Sequence, residues 1–313
     1  MTSVPDLIRQ QFAEAGVRGW LHARRVDSSS DENTAVVDSD DSTVDVDSRR
    51  RVAMSSVYKL PLLVSLCRMV DDGGLDPGEL VTVPPEDRTP GPTGISLMLD
   101  PVTMSWRDLT ILMMTVSDNA AADTILRRVG ADRVASTLRH FGLTDTRITG
   151  GTDDAYRILH QDTATTSLAE ALAVLADTDH PAQPRAYDPV RSSSASAKDM
   201  TTLLSAIWRN TAASPAQCAF IRAVMSRQVN ATRLRSGFAF DGVQVSGKTG
   251  TLGALRHEVG VVQYDDEPPY AVAVFTHAAR GNLQQPRVDH AIGTTARTAV
   301  EHLRSSRAAG PLT

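Results

Sequence analysis

The sequence predicts an α+β fold with two lobes, an antiparallel sheet flanked by helices and an all-helical lobe. Two observations predict it: apolar residues recur at helical spacing through most of residues 56–209, and they alternate with a period of two in three segments near the C-terminus. An early strand at Gly19–Arg24 needs partners, and the late strands are the most economical ones. We therefore expect one domain over residues 1–313, with a sheet lobe at about 1–55 and 210–313 and a helical lobe at about 56–209.

The N-terminal segment is expected to supply one helix and the first strands. Residues 5–15 place apolar side chains on one face, which predicts a short amphipathic helix that ends near Gly16. The strand at Gly19–Arg24 follows. Ser28–Ser48 is rich in Asp and Ser but keeps alternating valines, which predicts an exposed hairpin with an acidic tip. We expect this hairpin to be a solvated edge and not a functional site.

The central part of the chain predicts a series of helices and two loops. Pro and Gly mark the loops at 86–94 and 178–194. Ser105 is the expected N-cap of one helix, and Gly130 is the expected end of another. The predicted helices cover residues 57–70, 105–114, 120–129, 132–140, 153–175, 197–209 and 215–227.

The C-terminal part predicts the rest of the sheet. Residues 243–249, 256–264 and 270–277 alternate as strands, and an Asp-Asp-Glu-Pro-Pro turn joins the last two. A helix at 291–304 closes the fold, and residues 307–313 are expected to fray.

Composition excludes several classes of function. A formal charge of −5 argues against a nucleic-acid partner. No segment has the apolar length of a membrane span, and the first twenty residues lack the apolar core of a secretory signal, so we expect a cytoplasmic protein if Met1 is the native start. Cys67 and Cys218 fit reduced, buried thiols, and neither shows a metal-ligand spacing. We expect no metal and no cofactor.

The segment Ser56-Val-Tyr-Lys59 places a nucleophile beside a possible base. If a helix begins near Ser56, positions i and i+3 share a face, so the Ser56 hydroxyl and the Lys59 amine can meet. Of the 32 basic residues only three are lysines, Lys59, Lys198 and Lys248, and a lysine can lose its proton in a protein whereas arginine cannot. Taken alone, the spacing fits a helix cap and a solvated lysine equally well.

Two further motifs change that balance, because Ser117-Asp118-Asn119 and Lys248-Thr249-Gly250 follow in order. The Ser56-x-x-Lys59 motif is expected to open a helix. Ser117-Asp118-Asn119 is expected at a turn between helices, and Lys248-Thr249-Gly250 on a strand. With their flanking residues the three segments resemble class A β-lactamases and penicillin-binding proteins over most of residues 15–305. The resemblance implies a β-lactamase-like (transpeptidase-like) fold and an active-serine hydrolase acting on an amide, ester or β-lactam.

The resemblance also implies which residues perform the acyl transfer. Ser56 attacks a carbonyl to form an acyl-enzyme, and Lys59 takes or relays its proton. Ser117 passes a proton to the leaving nitrogen. The backbone N–H groups of Ser56 and Thr251 form the oxyanion hole. A Ser-His-Asp triad has no comparable support, since Gly-x-Ser-x-Gly is absent from the sequence.

A second group of residues is implied to bind the substrate. Asn119 holds the substrate amide, Thr249 hydrogen-bonds its carboxylate, and Lys248 supplies positive charge to that carboxylate and to Ser117. Gly250, the last residue of the Lys-Thr-Gly motif, is also counted among the implied substrate-binding residues. On the neighbouring strand, Arg256 and the following His257 are candidates for substrate contact, with an ordinary strand position as the alternative.

One departure from the resemblance affects the second half of the reaction. Class A β-lactamases carry a Glu-x-x-Leu-Asn segment whose glutamate activates the deacylating water. Here the single glutamate between Asn119 and Lys248 is Glu170, in a helical pattern without that motif, where we expect a surface salt bridge. Loop aspartates, at positions 177, 179 and 188, are the acids that could replace it. We therefore expect acylation to be faster than deacylation.

Two other functions stay open. A serine-dependent, glutaminase-like amidase shares the Ser-x-x-Lys chemistry and a cytoplasmic location. A penicillin-binding or sensing module would acylate once and keep the adduct. In each case the expected partner is a small-molecule or peptide-like substrate, and the expected state is a monomer or weak homo-oligomer.

Overall fold

The computed structural model describes residues 2–27, 42–177 and 183–308. The strands are β1 (Val17–Arg25), β2 (Thr43–Val46), β3 (Val52–Ala53), β4 (Leu80–Val83), β5 (Val102–Ser105), β6 (Ser194–Ala195), β7 (Val243–Leu252), β8 (Leu255–Tyr264) and β9 (Tyr270–Ala278). The helices are α1 (Val4–Glu14), α2 (Lys59–Asp71), α3 (Trp106–Thr115), α4 (Asn119–Val129), α5 (Ala131–His140), α6 (Thr152–Thr163), α7 (Leu168–Ala176), α8 (Ala197–Trp208), α9 (Pro215–Ser226), α10 (Leu234–Gly237) and α11 (Pro286–Ala308). Short 3-10 turns lie at Ser55–Tyr58, Pro85–Asp87, Gly94–Leu97 and Arg185–Tyr187.

Five strands form one antiparallel sheet in the order β2-β1-β9-β8-β7. The early strand β1 pairs with β9, from Val17 opposite Ala278 to Arg25 opposite Tyr270. The two ends of the chain therefore meet in one sheet, as the sequence predicts. Because β7 is an edge strand, one side of it is free to contact the turn that carries Ser56.

Both faces of the sheet are buried. On β9, Ala271, Ala273 and Phe275 belong to the core that the helical lobe shares, and α8 packs on this side. Val272 and Val274 belong to the second core, together with apolar residues of α1 and α11. This alternation is the period of two that the sequence shows.

The helix α2 lies at the centre of the helical lobe. Ten of its thirteen residues, beginning with Lys59, are buried, and α3, α4, α5 and α9 pack around it. A helix that is apolar on nearly every side is stable only inside a core. The apolar run after Lys59 thus places that lysine at the boundary between the core and the site described below.

The helical lobe also contains two small sheets that the sequence analysis did not predict. β4 pairs with β5 from Leu80 opposite Ser105 to Val83 opposite Val102, and β3 pairs with β6. Strands of two to four residues have too few alternating positions to reveal a period of two. The lobe is mostly helical, with these sheets at its margins.

The predicted helix at 153–175 is two helices, α6 and α7. Ala164 ends α6 in the left-handed region with φ 52°, and α7 begins after Ser167. The intervening segment is rich in Thr and Ser, whose hydroxyls compete with helical hydrogen bonds. The last helix, α11, begins at Pro286 and not near residue 291, because proline is well accommodated in a first helical turn.

Some predictions fall partly outside the described residues. Of the predicted hairpin, residues 42–48 are described, and β2 forms the outer edge of the sheet. Its acidic tip and Asp179 lie outside. Cys67 and Cys218 are buried free thiols, as predicted. In the described ranges, no helix combines the length and the apolar character that crossing a membrane requires.

Candidate active site

Ser56 lies on a tight turn between β3 and α2. The turn Ser55–Tyr58 is 3-10 and not α-helical, and Ser55 has a φ of 46°. A Cβ added at Gly250 on β7 would lie 2.7 Å from the Met54 carbonyl oxygen. Only glycine therefore allows the edge strand to approach the serine turn this closely.

His257 holds Ala53, which lies two residues before this turn. Its Nε2 donates to the Ala53 carbonyl at 2.9 Å, while Nδ1 accepts from the Thr276 N–H at 3.1 Å. Burial lowers the pKa of His257 to about 3, which keeps the ring neutral. His257 is fully buried and does not line the cavity beside Ser56. It is thus a positioning residue on an ordinary strand position.

The Lys59 amine is buried among acceptors from the second motif. It donates to the Ser117 carbonyl at 2.7 Å and to Asn119 Oδ1 at 2.9 Å, and it lies 3.3 Å from Ser117 Oγ. Burial lowers the pKa of Lys59 to about 7, against the opposing effect of Asp123 and Asp118. An amine with this pKa can accept a proton near neutral pH.

The structure does not join the Lys59 amine directly to the Ser56 hydroxyl. Within the described ranges no hydrogen bond links them, because the amine is directed at the acceptors of Ser117 and Asn119. A 3-10 helix has about 3.0 residues per turn and an α-helix about 3.6, so the angle between the side chains of residues 56 and 59 differs from the one that an α-helix would give. The contact that the sequence predicted between these two groups is therefore not formed in this state.

Ser117 stands between the two lysines. Its Oγ accepts from Lys248 Nζ at 2.9 Å as well as approaching Lys59, and its backbone has a φ of 60°. A non-glycine residue in the left-handed region is uncommon and is often found at functional sites. Burial, and then the charge of Lys59, lowers the pKa of Lys248 well below that of an ordinary lysine. Ser117 can therefore exchange a proton with either amine.

Asn119 forms part of the cleft wall at the start of α4. Its Nδ2 donates to the Pro90 carbonyl at 3.0 Å and to the Tyr156 hydroxyl at 3.1 Å, while its Oδ1 accepts from Lys59. The preceding Asp118 caps α4 and accepts from the Ile95 N–H at 2.6 Å. These bonds fix the loop that forms one rim of the cleft.

A buried arginine supports the β7 side of the site. Arg233 donates to the Gly250 carbonyl at 2.9 Å and to Thr251 Oγ1 at 2.7 Å, and its Nε pairs with Asp289 at 2.7 Å. Since Thr251 Oγ1 accepts from Arg233, the hydroxyl hydrogen of Thr251 can be directed elsewhere. Arg256 shares Asp289 at 3.3 Å and also donates to the Leu283 carbonyl. Its guanidinium is therefore committed to protein acceptors, although it borders the cleft.

A cavity of about 620 Å³ brings most of the predicted residues together. Those that line it are Ser56, Ser117, Asn119, Thr249, Thr251 and Arg256. Lys59, Lys248 and Gly250 lie behind this surface, the lysines being fully buried. A smaller cavity of about 70 Å³ also reaches Ser56, and Tyr156 and Thr251 line both.

Carboxylates are scarce around the nucleophile. In the described part of the chain, none lines the larger cavity and Asp154 alone lines the smaller one. Asp154 accepts from the Gly151 N–H at 3.1 Å and pairs with Arg157 at 2.5 Å, so it serves as an N-terminal cap of α6. Asp123 lies nearby but is used by the Tyr58 hydroxyl and by backbone N–H groups.

The acids that the sequence analysis offered are elsewhere. Asp177 borders a different cavity, and Asp188 accepts from the Val190 N–H at 2.8 Å and pairs with Arg191 at 3.4 Å. Glu170 forms a capping box with Ser167 and not the expected surface salt bridge, because it is the third residue of α7.

Sequence reasoning missed three residues of this site, Tyr156, Asp123 and Arg233. Asp123 had a signal, since it is a lone charge in the apolar segment after Asn119. The other two had none, because α6 and the α9–α10 connection reach the site only through the tertiary fold.

Comparisons with known proteins agree with this architecture. Residues 23–303 match the model of the β-lactamase enzyme family. The β-lactamase regulatory protein BlaB of Streptomyces cacaoi is 30% identical over 275 residues, which cover 83% of this chain and 88% of that protein. The structure of PBP-A is similar with a TM-score of 0.75 at 20% identity, covering 97% of each chain. A β-lactamase from Sphaerobacter thermophilus DSM 20745 gives 0.72 at 21% identity, covering 95% of this chain and 96% of that one.

These likenesses confirm the predicted two-lobed β-lactamase-like fold. The structural similarities concern the fold alone. The family match covers residues 23–303 and so includes all three motifs. The chain belongs to the β-lactamase enzyme family.

Proposed function

We propose that this protein forms an acyl-enzyme through Ser56 and keeps it long enough to act as a sensor of acylating ligands. Ser56 Oγ bonds to the acyl carbon of a β-lactam, amide or ester, and the bond from that carbon to the leaving nitrogen or oxygen breaks. Lys59 accepts the serine proton. Ser117, hydrogen-bonded to Lys248 at 2.9 Å, passes a proton to the leaving atom.

The remaining residues of the cleft would bind the ligand. Ser56 and Thr251 border the same cavity. Their backbone N–H groups would hold the oxyanion, a contribution of about 10²–10³ in rate. Thr249 would bind a ligand carboxylate, with the charge of Lys248 behind it. Asn119 would bind the ligand amide.

The observation that carries the sensing role is that, among the described residues, no free carboxylate lines the cavities at Ser56. Hydrolysis of an acyl-enzyme needs a base that activates water, and a well-placed base contributes about 10²–10⁴ in rate. Asp154, the one carboxylate among the described residues that line either cavity, is held by Gly151 and Arg157. The similarity to a β-lactamase regulatory protein supports the same proposal.

Intact-protein mass spectrometry after rapid mixing with benzylpenicillin tests this function. We expect one adduct per chain, formed at least about 100-fold faster than it disappears. Because a β-lactam opens without losing atoms, the adduct should carry the whole mass of the ligand. Ser56→Ala is the matched control and should show none.

Other outcomes would indicate other functions. Rapid turnover of benzylpenicillin without accumulation of the adduct would contradict the sensing role. Release of ammonia from glutamine, absent in Ser56→Ala, would favour the amidase. If Asp154 does activate the little water that reacts, Asp154→Asn should lengthen the lifetime of the adduct further; we expect no change.

A further inference from the structure

One wall of the larger cavity is an apolar helix face. Leu168 and Leu172 of α7 border the cavity, and both are half-buried. Residues four apart lie on the same face of a helix, and a rise of about 1.5 Å per residue separates these two by about 6 Å along the axis. The pair therefore offers a continuous apolar strip.

The structure holds α7 firmly in this position. Ser167 and Glu170 form a capping box at its start, with bonds of 3.2 and 3.3 Å. Leu175, near its end, is buried, and a Cβ added at Gly281 would lie 2.2 Å from the Leu175 carbonyl oxygen. The strip thus belongs to an anchored helix, with the loop around Gly281 close beside it.

That adjoining loop extends the apolar surface. Leu283 borders the same cavity and is 65% exposed, so a ligand there would remove substantial apolar area from water. Arg256 is the one charged side chain among the described residues that line this cavity, and its guanidinium is committed to Asp289 and to backbone carbonyls. No unpaired charge in the lining described here attracts a charged substituent.

We propose that Leu168, Leu172 and Leu283 form a subsite that selects acyl donors with a hydrocarbon or aryl substituent on the acyl side. This inference deepens the proposed function and rests on it. The ligand class is an acyl donor whose reactive carbonyl lies at Ser56 and whose apolar group lies on α7. A charged substituent would lose its hydration there without gaining a partner.

Calorimetric binding to Ser56→Ala tests the subsite without any acylation. The ligands are benzylpenicillin, carbenicillin, which adds a carboxylate to the same side chain, and 6-aminopenicillanic acid, which lacks the side chain. We expect benzylpenicillin to bind at least about tenfold more tightly than either of the others. Adding Leu172→Ser should reduce that preference about tenfold and leave the affinity for 6-aminopenicillanic acid unchanged.

Ala173→Ser in the same background is the matched control, because Ala173 is an exposed neighbour on the same helix. It should leave all three affinities unchanged. Equal affinities for the three ligands, or a preference that survives Leu172→Ser, would overturn the subsite. If the preference holds but wild-type protein gains no adduct mass, the acyl-enzyme proposal fails and the subsite stands.

Discussion

Acidification is expected to slow acylation of Ser56 in proportion to the neutral fraction of Lys59. Burial lowers the pKa of Lys59 to about 7, from an ordinary value of 10.5. This difference corresponds to about 5 kcal/mol against the charged form. Below pH 7 the neutral fraction falls tenfold per pH unit, so the rate at pH 5 should be about 1% of the plateau reached above pH 8.

The direction of the effect follows from the surroundings of the amine. Burial disfavours the ammonium form, and the carboxylates of Asp123 and Asp118 oppose that effect only in part. Because only the neutral amine accepts the serine proton, raising the pH through 7 switches acylation on. An ordinary solvated lysine would give a midpoint near 10.5, and the rate would still be rising at pH 9.

Rapid-quench mass spectrometry with benzylpenicillin from pH 5 to pH 9 measures this profile. Circular dichroism over the same range checks that the fold persists. A rate independent of pH would show that Lys59 is not the base, and a midpoint above pH 9 would show that burial does not lower the pKa of Lys59 to about 7. Subtracting the Ser56→Ala signal removes non-specific labelling.

Three substitutions test other parts of the site. Ser56→Ala should abolish the adduct with an unchanged thermal unfolding midpoint, since only a half-buried hydroxyl is lost; an undiminished adduct would place the nucleophile elsewhere. Lys59→Arg should slow acylation by at least about 100-fold, as arginine keeps its proton, and a wild-type rate would exclude Lys59 as the base. Gly250→Ala should lower the free energy of unfolding by about 1–3 kcal/mol and slow acylation, because the added Cβ would meet the Met54 carbonyl. Denaturant titrations measure this loss, and full stability would show that the turn can move.

The residues proposed for acylation can be predicted from the sequence because each belongs to a short motif in its own local element. Ser56 lies on the turn before a buried helix, Asn119 begins the next helix of the site, and Thr249 lies on an edge strand. Residue spacing places the members of each motif on one element, but it did not predict that the Lys59 amine bonds to Ser117 and Asn119 and not to Ser56. Most of the fold followed from periodicity, which failed for the short β3–β6 and β4–β5 pairs, for the division between α6 and α7 and for the start of α11.

The supporting residues could not be predicted in the same way. Arg233 lies in an irregular segment, and it reaches Thr251 and Asp289 only when α11 packs beside β8. Tyr156 meets Asn119 across 37 positions of sequence. Such contacts depend on helix packing angles and loop paths, on which a single sequence carries no periodic signal.

The anchoring of α6 is independent of the residues proposed for acylation. Asp123 accepts from the N–H groups of Thr152 and Asp153 at 2.8 Å each, so the backbone at the start of α6 is fixed by a buried carboxylate. The side chain of Tyr156, which α6 presents to the smaller cavity, takes no part in that anchoring. A substitution that adds or removes a carboxylate on α6 is therefore expected to leave Lys59 in place, since Lys59 lies on a different helix behind Ser56.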